Sequence, residues 1–471
     1  MRTCSTRTSA WRDRRDRPVI RYHARWVVPV SRPPIANATV VEDGGRIVYV
    51  GPRGSAPPGS DVDLGQVALT PGLVNAHTHL ELTVMRGFLE DLAFRDWIIR
   101  LTKARRSVLS FEALVESARV GIAEGILAGV TTYADTSESG APFVALREMG
   151  VRGVIYQEVF GPDPAQCAES FADLRAKVDA LRRDETPLVR VGVSPHAPYS
   201  VSDSLFQATA AFARGESLRI AVHIAESEDE SRYVAEARGP WADDHRRRGI
   251  AVQVRGTSPV AMLDRAGVLV ARPLLIHCVR VSEADIASIA GHGCAVAHCP
   301  ASNAKLGHGI APVVSMLGAS VTVGLGSDSV ASNNRMDLLD EARVAVLMQR
   351  ARTGRYDALS AAAALELATL GGARALGLDH EIGSLDVGKS ADLAAFPLAD
   401  SRSMPVYDPV TSLIFSTAGS AATFVCVAGH VLVRNSRCVG PAASVPDLAA
   451  TADALARWSA SNDRPGSQRR S

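Results

Sequence analysis

Two histidines one residue apart, His77 and His79, close the run Leu69-Thr-Pro-Gly-Leu-Val-Asn-Ala-His77-Thr-His79. In an extended strand, residues i and i+2 point to the same face. Both imidazoles can then meet one Zn2+ or Fe2+ ion at about 2.0–2.1 Å. Alone, the pair reads equally well as two polar residues at a strand end. Its company gives it chemistry. Later apolar runs end at His196, carry His223 and Glu226, and end at His277 and Asp328. Imidazoles and carboxylates brought together in this way supply both metal ligands and acid–base groups.

Such a set needs a scaffold that gathers distant residues. Eight β-rich runs alternate with helix-length amphipathic segments: Leu69–His79, Gly129–Asp135, Val151–Phe160, Val189–His196, Leu218–Glu226, Leu274–Val279, Cys294–Cys299 and Ser320–Asp328. Eight β/α units over roughly 300 residues match a (β/α)8 TIM-type barrel. The continuous apolar runs fit parallel strands buried on both faces. Barrel active sites sit at the C-terminal strand ends, which is where the titratable residues fall. A doubly wound open sheet is the alternative, but no Gly-rich phosphate loop follows the first strand. Phe111–Ala128, with Ser110 as its cap, and Ser204–Arg214 read as helices. Short strands precede the barrel (Tyr22–Val30, Ala38–Val41, Arg46–Val50) and follow it (Asp392–Phe396, Ser412–Ser416, Phe424–Val433). The expected organisation is a disordered basic tail over 1–18, a small β-sandwich built from 19–70 plus 377–440, a metal-dependent barrel over 71–376, and a helix with a disordered tail over 441–471.

Composition narrows the function. The chain has 471 residues, 46% hydrophobic and 21% charged, with a net charge of +1. These are the proportions of a globular protein, and no basic excess points to nucleic acid or an anionic membrane. No apolar run reaches the ~20 residues that span a bilayer. Met1–Arg17 carries six arginines and two aspartates with no apolar stretch behind them, a poor secretory signal. The seven cysteines lack CxxC spacing and read as reduced thiols of a cytoplasmic protein.

The motifs resemble the amidohydrolase superfamily, in its cytosine deaminase/chlorohydrolase-like branch. The resemblance lies in the run ending at His79, in Ser194-Pro-His196-Ala-Pro-Tyr, Val222-His223-Ile-Ala-Glu226, Ile276-His277-Cys, Gly326-Ser-Asp328-Ser-Val-Ala-Ser-Asn-Asn334 and Gly388-Lys-Ser-Ala-Asp392-Leu. It covers about Val19 to Asn435. It implies one divalent metal, Zn2+ before Fe2+, held by His77, His79, His223 and Asp328. It makes Glu226, His277 and Asp328 catalytic and His196 substrate-binding. The bridging lysine of binuclear relatives has no counterpart, since the four lysines are Lys103, Lys177, Lys305 and Lys389. The implied reaction is attack of metal-bound hydroxide on a ring carbon bearing an exocyclic amine, with loss of ammonia. Asp328 takes the water's proton, His277 orients the water, and Glu226 protonates the adjacent ring nitrogen.

The substrate implied is a small nucleoside-like molecule, with no nucleic acid or membrane partner; a homodimer is the assembly considered. Leu80-Glu81 follows the histidine pair, and Glu81 could meet ribose hydroxyls. Arg86-Gly-Phe-Leu-Glu-Asp-Leu with Trp97 resembles the lid-like segment of adenosine-type deaminases. His-Thr-His-Leu-Glu and Gln157-Glu158-Val-Phe-Gly161 look closest to aminodeoxyfutalosine deaminases of the menaquinone pathway, with Arg106 free to pair with a substrate carboxylate. S-adenosylhomocysteine/methylthioadenosine deaminases come next, then other heterocycle deaminases and chlorohydrolases, and last a catalytically dead scaffold. Two details complete the reading. Cys278 and Cys299 follow His277 and His298, but strand neighbours face opposite ways, so His298 reads as a hydrogen-bonded strand-end residue. Glu226–Glu230 reads as a solvated helix start.

Overall fold

The computed structural model describes residues 18–462. The tails expected before and after these bounds lie outside the described residues. Eight strands form one parallel sheet in chain order: β1 (Leu73–Thr78), β2 (Val130–Ser137), β3 (Arg152–Val159), β4 (Val189–Pro195), β5 (Arg219–Ile224), β6 (Leu274–His277), β7 (Ala295–His298) and β8 (Thr322–Leu325). A parallel bridge between Thr78 and Asp328 brings its two ends together. The result is a (β/α)8 barrel. Val74, Ala76, Ala134, Val154, Tyr156, Ala221, Ile276 and Ala297 belong to one buried cluster contributed by its strands. Ser110 caps the helix Phe111–Leu127 by accepting from the Ala113 N–H, and a second helix spans Asp203–Gly215.

A separate nine-stranded sheet, mostly antiparallel, draws on both flanks of the barrel. Its seam pairs Val67–Pro71 with Leu393–Pro397 in antiparallel register. The run expected as one strand, Leu69–His79, therefore divides. Residues up to Pro71 belong to this sheet, and Leu73 begins the barrel. Gly72 makes the transfer, because a Cβ there would lie 2.2 Å from Thr131 Oγ1. Phe424–Val433 resolves into two strands, Phe424–Val427 and His430–Arg434, joined by a turn through Ala428 and Gly429.

One expected strand is a helix. Ser412–Ser416 lies at the end of the helix Pro409–Phe415. Asp408 accepts from the N–H groups of Val410 and Thr411, and Pro409 opens the first turn with its φ already set. The cap outweighs the β preference of Thr411, Ile414 and Phe415. Near the C-terminus, the helix Ala449–Asn462 buries Leu455 and brings Trp458 within 6.4 Å of the Phe88 ring.

The base of the barrel is tied to the chain's return segment by an ion pair. Arg152, 2% exposed at the start of β3, donates to Asp392 (3.0 Å), Glu381 (3.0 Å) and Ser390 (3.1 Å). Removing one partner of a buried pair leaves an uncompensated charge. Asp392→Ala should lower the unfolding free energy by about 3–5 kcal/mol, as measured by urea denaturation. A loss under about 1 kcal/mol would show that Glu381 and Ser390 alone satisfy the guanidinium.

Candidate active site

His77 lies on β1 and His79 directly after it, so the strand carries both into the barrel mouth. His77 Nε2 is 3.3 Å and His79 Nε2 3.7 Å from Asp328 Oδ1. His79 Nδ1 donates to the Thr136 carbonyl at 3.0 Å. That bond fixes the tautomer and leaves the Nε2 lone pair facing the mouth. His223 on β5 and His277 at the end of β6 complete the group. Their rings lie 4.8 and 5.7 Å from His77. His77, His79 and Asp328 offer ligand atoms within 4.8 Å of one another, and so do His77, His223 and His277.

The donor set fits a divalent metal. His77 Nε2 and His223 Nδ1 are buried with no hydrogen-bond partner, and burying such groups without compensation is unfavourable. Burial pushes the His77 imidazole down to about 4 and His223 well below its ordinary value, so both present neutral lone pairs. Burial works against the Asp328 carboxylate, but the facing His77, with His277 and His79, holds it well below the usual range. Ser302 Oγ donates to Asp328 Oδ2 at 2.5 Å and the Ser329 N–H to Oδ1 at 2.7 Å. His277 (φ 76°) and Asp328 (φ 58°) both adopt left-handed backbone at strand ends. Such strain persists only where surrounding structure enforces it. Gly326 allows this approach, since a Cβ there would lie 2.9 Å from the His77 backbone.

Glu226 follows β5 and is 4% exposed. Its Oε1 lies 3.5 Å from His277 Nε2 and 3.4 Å from His308 Nε2. Burial raises its pKa, but the two histidines outweigh this and hold the carboxyl below its ordinary value. His277 is oriented in turn by Asn303, whose Oδ1 is 2.9 Å from Nδ1. The expected solvated helix start holds at Glu228, which is exposed, but Glu226 and Glu230 are buried. Glu230 is 1% exposed and accepts from the N–H groups of Ala225 (2.8 Å) and Glu226 (2.9 Å). It returns from the first turn of Glu228–Glu236 to pin the loop that carries Glu226. Its carboxyl is pushed up to about 8 by burial. His298 also differs from expectation: it is buried, and neither ring nitrogen has a hydrogen-bond partner.

Above these groups opens a cavity of about 650 Å³. Volumes of this order hold ligands of drug size. His196, at the end of β4, lines it; its Nδ1 is 2.7 Å from Ser200 Oγ, and burial pushes it down to about 3. Trp97 lines it as well, 6% exposed, with its indole N–H unpartnered. Glu81 is also in the wall, but both its oxygens are already engaged. Oε1 accepts from Arg105 (2.7 Å) and Oε2 from Ser137 (2.7 Å) and Ser139. Arg106 sits at the margin, 64% exposed, 3.8 Å from Glu138. Its neighbour Arg105 reaches inward between Glu81 and Glu138. Lys103, Arg247 and Arg248 join Arg106 as exposed cations in the cavity wall.

Arg105, Glu158, Glu230 and His308 are the site residues to which the sequence reading gave no role in the chemistry; Glu158 entered it only within the Gln157–Gly161 motif and Glu230 only as a helix-start acid. Glu158 carried a usable signal. It stands two residues after Tyr156, so the two share the inward face of β3.

Fold and site together define a hydrolase barrel with an imidazole–carboxylate centre at the C-terminal ends of its strands. The amidohydrolase family matches residues 68–432, and the chain belongs to that family of C–N bond hydrolases. A curated relative, 5-methylthioadenosine/S-adenosylhomocysteine deaminase of Moorella thermoacetica, is 34% identical over 413 residues, 86% of this chain and 92% of the relative. Among solved structures, an adenosine deaminase from Xanthomonas campestris with bound zinc superimposes with a TM-score of 0.81 at 29% identity, covering 94% of this chain and 98% of that one. Atrazine chlorohydrolase from Arthrobacter aurescens TC1, complexed with zinc, gives 0.78 at 26% identity, covering 93% and 99%. Helicobacter pylori aminofutalosine deaminase gives 0.76 at 20% identity, covering 88% and 100%, a likeness of fold alone. Among the described residues no helix is long and apolar enough to cross a membrane.

Proposed function

We propose that the protein deaminates an adenine-type nucleoside hydrolytically, using one divalent metal held by His77, His79, His223 and Asp328. The observation that carries this reading is the convergence of those four residues and His277 beside the buried Glu226, all but His77 lining one cavity. The bound metal, Zn2+ before Fe2+, supplies a hydroxide equivalent near neutral pH by lowering the pKa of water toward ~7. Asp328 accepts the proton given up by the attacking water. Glu226, ionised in the resting site, takes up the other proton of the water and passes it to the ring nitrogen beside the amine-bearing carbon, which makes that carbon electrophilic. The exocyclic C–N bond then breaks as the new C–O bond becomes a carbonyl, and the amine leaves as ammonia with the proton that Asp328 accepted. His277, oriented by Asn303, holds both the water and Glu226 in place. His196 and Trp97 line the space for base and sugar.

The substrate within this class is an adenine nucleoside with an extended anionic substituent on its sugar, and aminodeoxyfutalosine is the specific expectation. Lys103, Arg106, Arg247 and Arg248 along the wall support an anionic end. A second reading, S-adenosylhomocysteine or methylthioadenosine, is favoured by the name of the relative from Moorella thermoacetica. The test is ammonia release from adenosine, methylthioadenosine, S-adenosylhomocysteine, aminodeoxyfutalosine, guanine, cytosine and triazines. Ammonia should come from the nucleosides, fastest from aminodeoxyfutalosine. Ammonia from none of them would overturn the reading and leave another heterocycle as substrate.

A further inference from the structure

A further carboxyl group in the cavity is used by none of the chemistry above. Glu158, near the end of β3, is 8% exposed and lines the cavity. Val154, Tyr156 and Glu158 alternate along the strand, so Glu158 shares the inward face of the two residues that belong to the barrel's inner cluster. Its Oε1 is buried with no hydrogen-bond partner, and no side chain among the described residues bonds either oxygen. Its neighbour Gln157 is spent on the carbonyls of Glu138 and of Glu158 itself. A buried carboxyl left without partners is unfavourable unless a ligand supplies them.

Its position selects the ligand. Glu158 is registered opposite Ser194 on β4 and offers an oxygen within 4.8 Å of ring nitrogens of His196 and His223. Glu226 faces the other way, toward His277 on β6 and His308 beyond β7. In adenine the sugar-bearing nitrogen lies across the bicycle from the amine-bearing carbon and the ring nitrogen next to it. A base that sets that pair over the histidine cluster and Glu226 directs its sugar toward β3.

We propose that Glu158 is a substrate-contact residue whose carboxyl group exchanges hydrogen bonds with the sugar hydroxyls of the nucleoside. This rests on the nucleoside reading given above. It makes Glu158 the residue that distinguishes ribose from deoxyribose, while Glu81 stays committed to Arg105 and the two serines.

The test takes the nucleoside fastest in the ammonia screen together with its 2′-deoxy and 3′-deoxy forms. Wild-type protein, Glu158→Gln and Glu158→Ala are compared, each checked for bound metal and thermal unfolding. The wild type should prefer the ribose form. Glu158→Ala should lose about 10²-fold in kcat/KM on it, mainly through KM, and less than about 3-fold on the deoxy form lacking the contacted hydroxyl. Glu158→Gln, isosteric and still able to donate and accept, should fall between them. It carries the same comparison should the alanine variant lose its metal or its fold. Equal losses on all three sugars, or no loss on any, would overturn the proposal and leave the nucleoside reading standing. A wild-type protein inactive on every nucleoside would remove that reading and this proposal together.

Discussion

Glu226→Gln should keep the wild-type metal content and lose about 10²–10⁴-fold in kcat, with KM changed less than about 3-fold. The amide matches the carboxyl in shape, so the loop pinned by Glu230 and the left-handed turn at Ala225 (φ 52°) stay as they are. It cannot pick up and hand over a proton. In the native site the carboxyl is 4% exposed, lies 3.5 Å from His277 Nε2 and 3.4 Å from His308 Nε2, and lines the cavity. A proton passed through it would therefore move between fixed partners and not through bulk water. A loss confined to kcat marks an interaction made in the transition state, whereas a rise in KM alone would mark simple substrate binding. The measurement is steady-state ammonia release alongside metal analysis of the same preparation. Near-normal turnover with metal retained would remove Glu226 from the proton-transfer role.

The parts of this site that could be read from the chain are those fixed by strand periodicity. His77 and His79 share a face because a strand repeats every two residues. His223, His277 and Asp328 fall at the ends of apolar runs, and a parallel barrel carries such ends to one mouth. Loops and helix phases carry no comparable constraint. Arg105 and Arg106 are adjacent on the helix Phe94–Val108, about 100° apart around its axis. Which of them turns inward depends on where the helix docks, and packing set that choice. His308 sits in an irregular segment after the helix Pro300–Lys305, and its approach to Glu226 is tertiary. Glu230 reads as one acid among several at a helix start, where acids suit the dipole. Only the folded loop shows it turned inward onto two backbone N–H groups. The fold errors have the same origin. Leu69–His79 reads as one strand in the sequence, and only the fold shows that Gly72 separates two sheets. Ser412–Phe415 has strand composition, yet Asp408 and Pro409 just upstream start a helix there.

Removal of the metal should have the largest effect of all. The cluster has the makings of a cation site and little reason to be stable without one. His77 Nε2 and His223 Nδ1 are buried and unpartnered, and the imidazoles are held neutral by burial. Asp328 is kept ionised by the facing histidines. His77, His79 and Asp328 place their ligand atoms within 4.8 Å of each other, close enough for one ion to join them. Exhaustive chelation should abolish ammonia release, a loss of more than about 10³-fold, because neither Glu226 nor His277 can generate a comparable nucleophile from bulk water at neutral pH. Chelation should also lower the thermal midpoint, since a ligand present at about 10³ times its Kd stabilises the native state by about 4 kcal/mol. Adding back Zn2+ should restore both signals. Asp328→Ala and His223→Ala should each bind far less metal than the wild type, whereas Glu226→Gln should bind it fully. That contrast would separate the residues proposed to hold the ion from the one proposed to move the proton. A chelated protein shown by elemental analysis to be free of divalent metal, yet still releasing ammonia at the original rate, would sink the assignment of these four residues as the metal site.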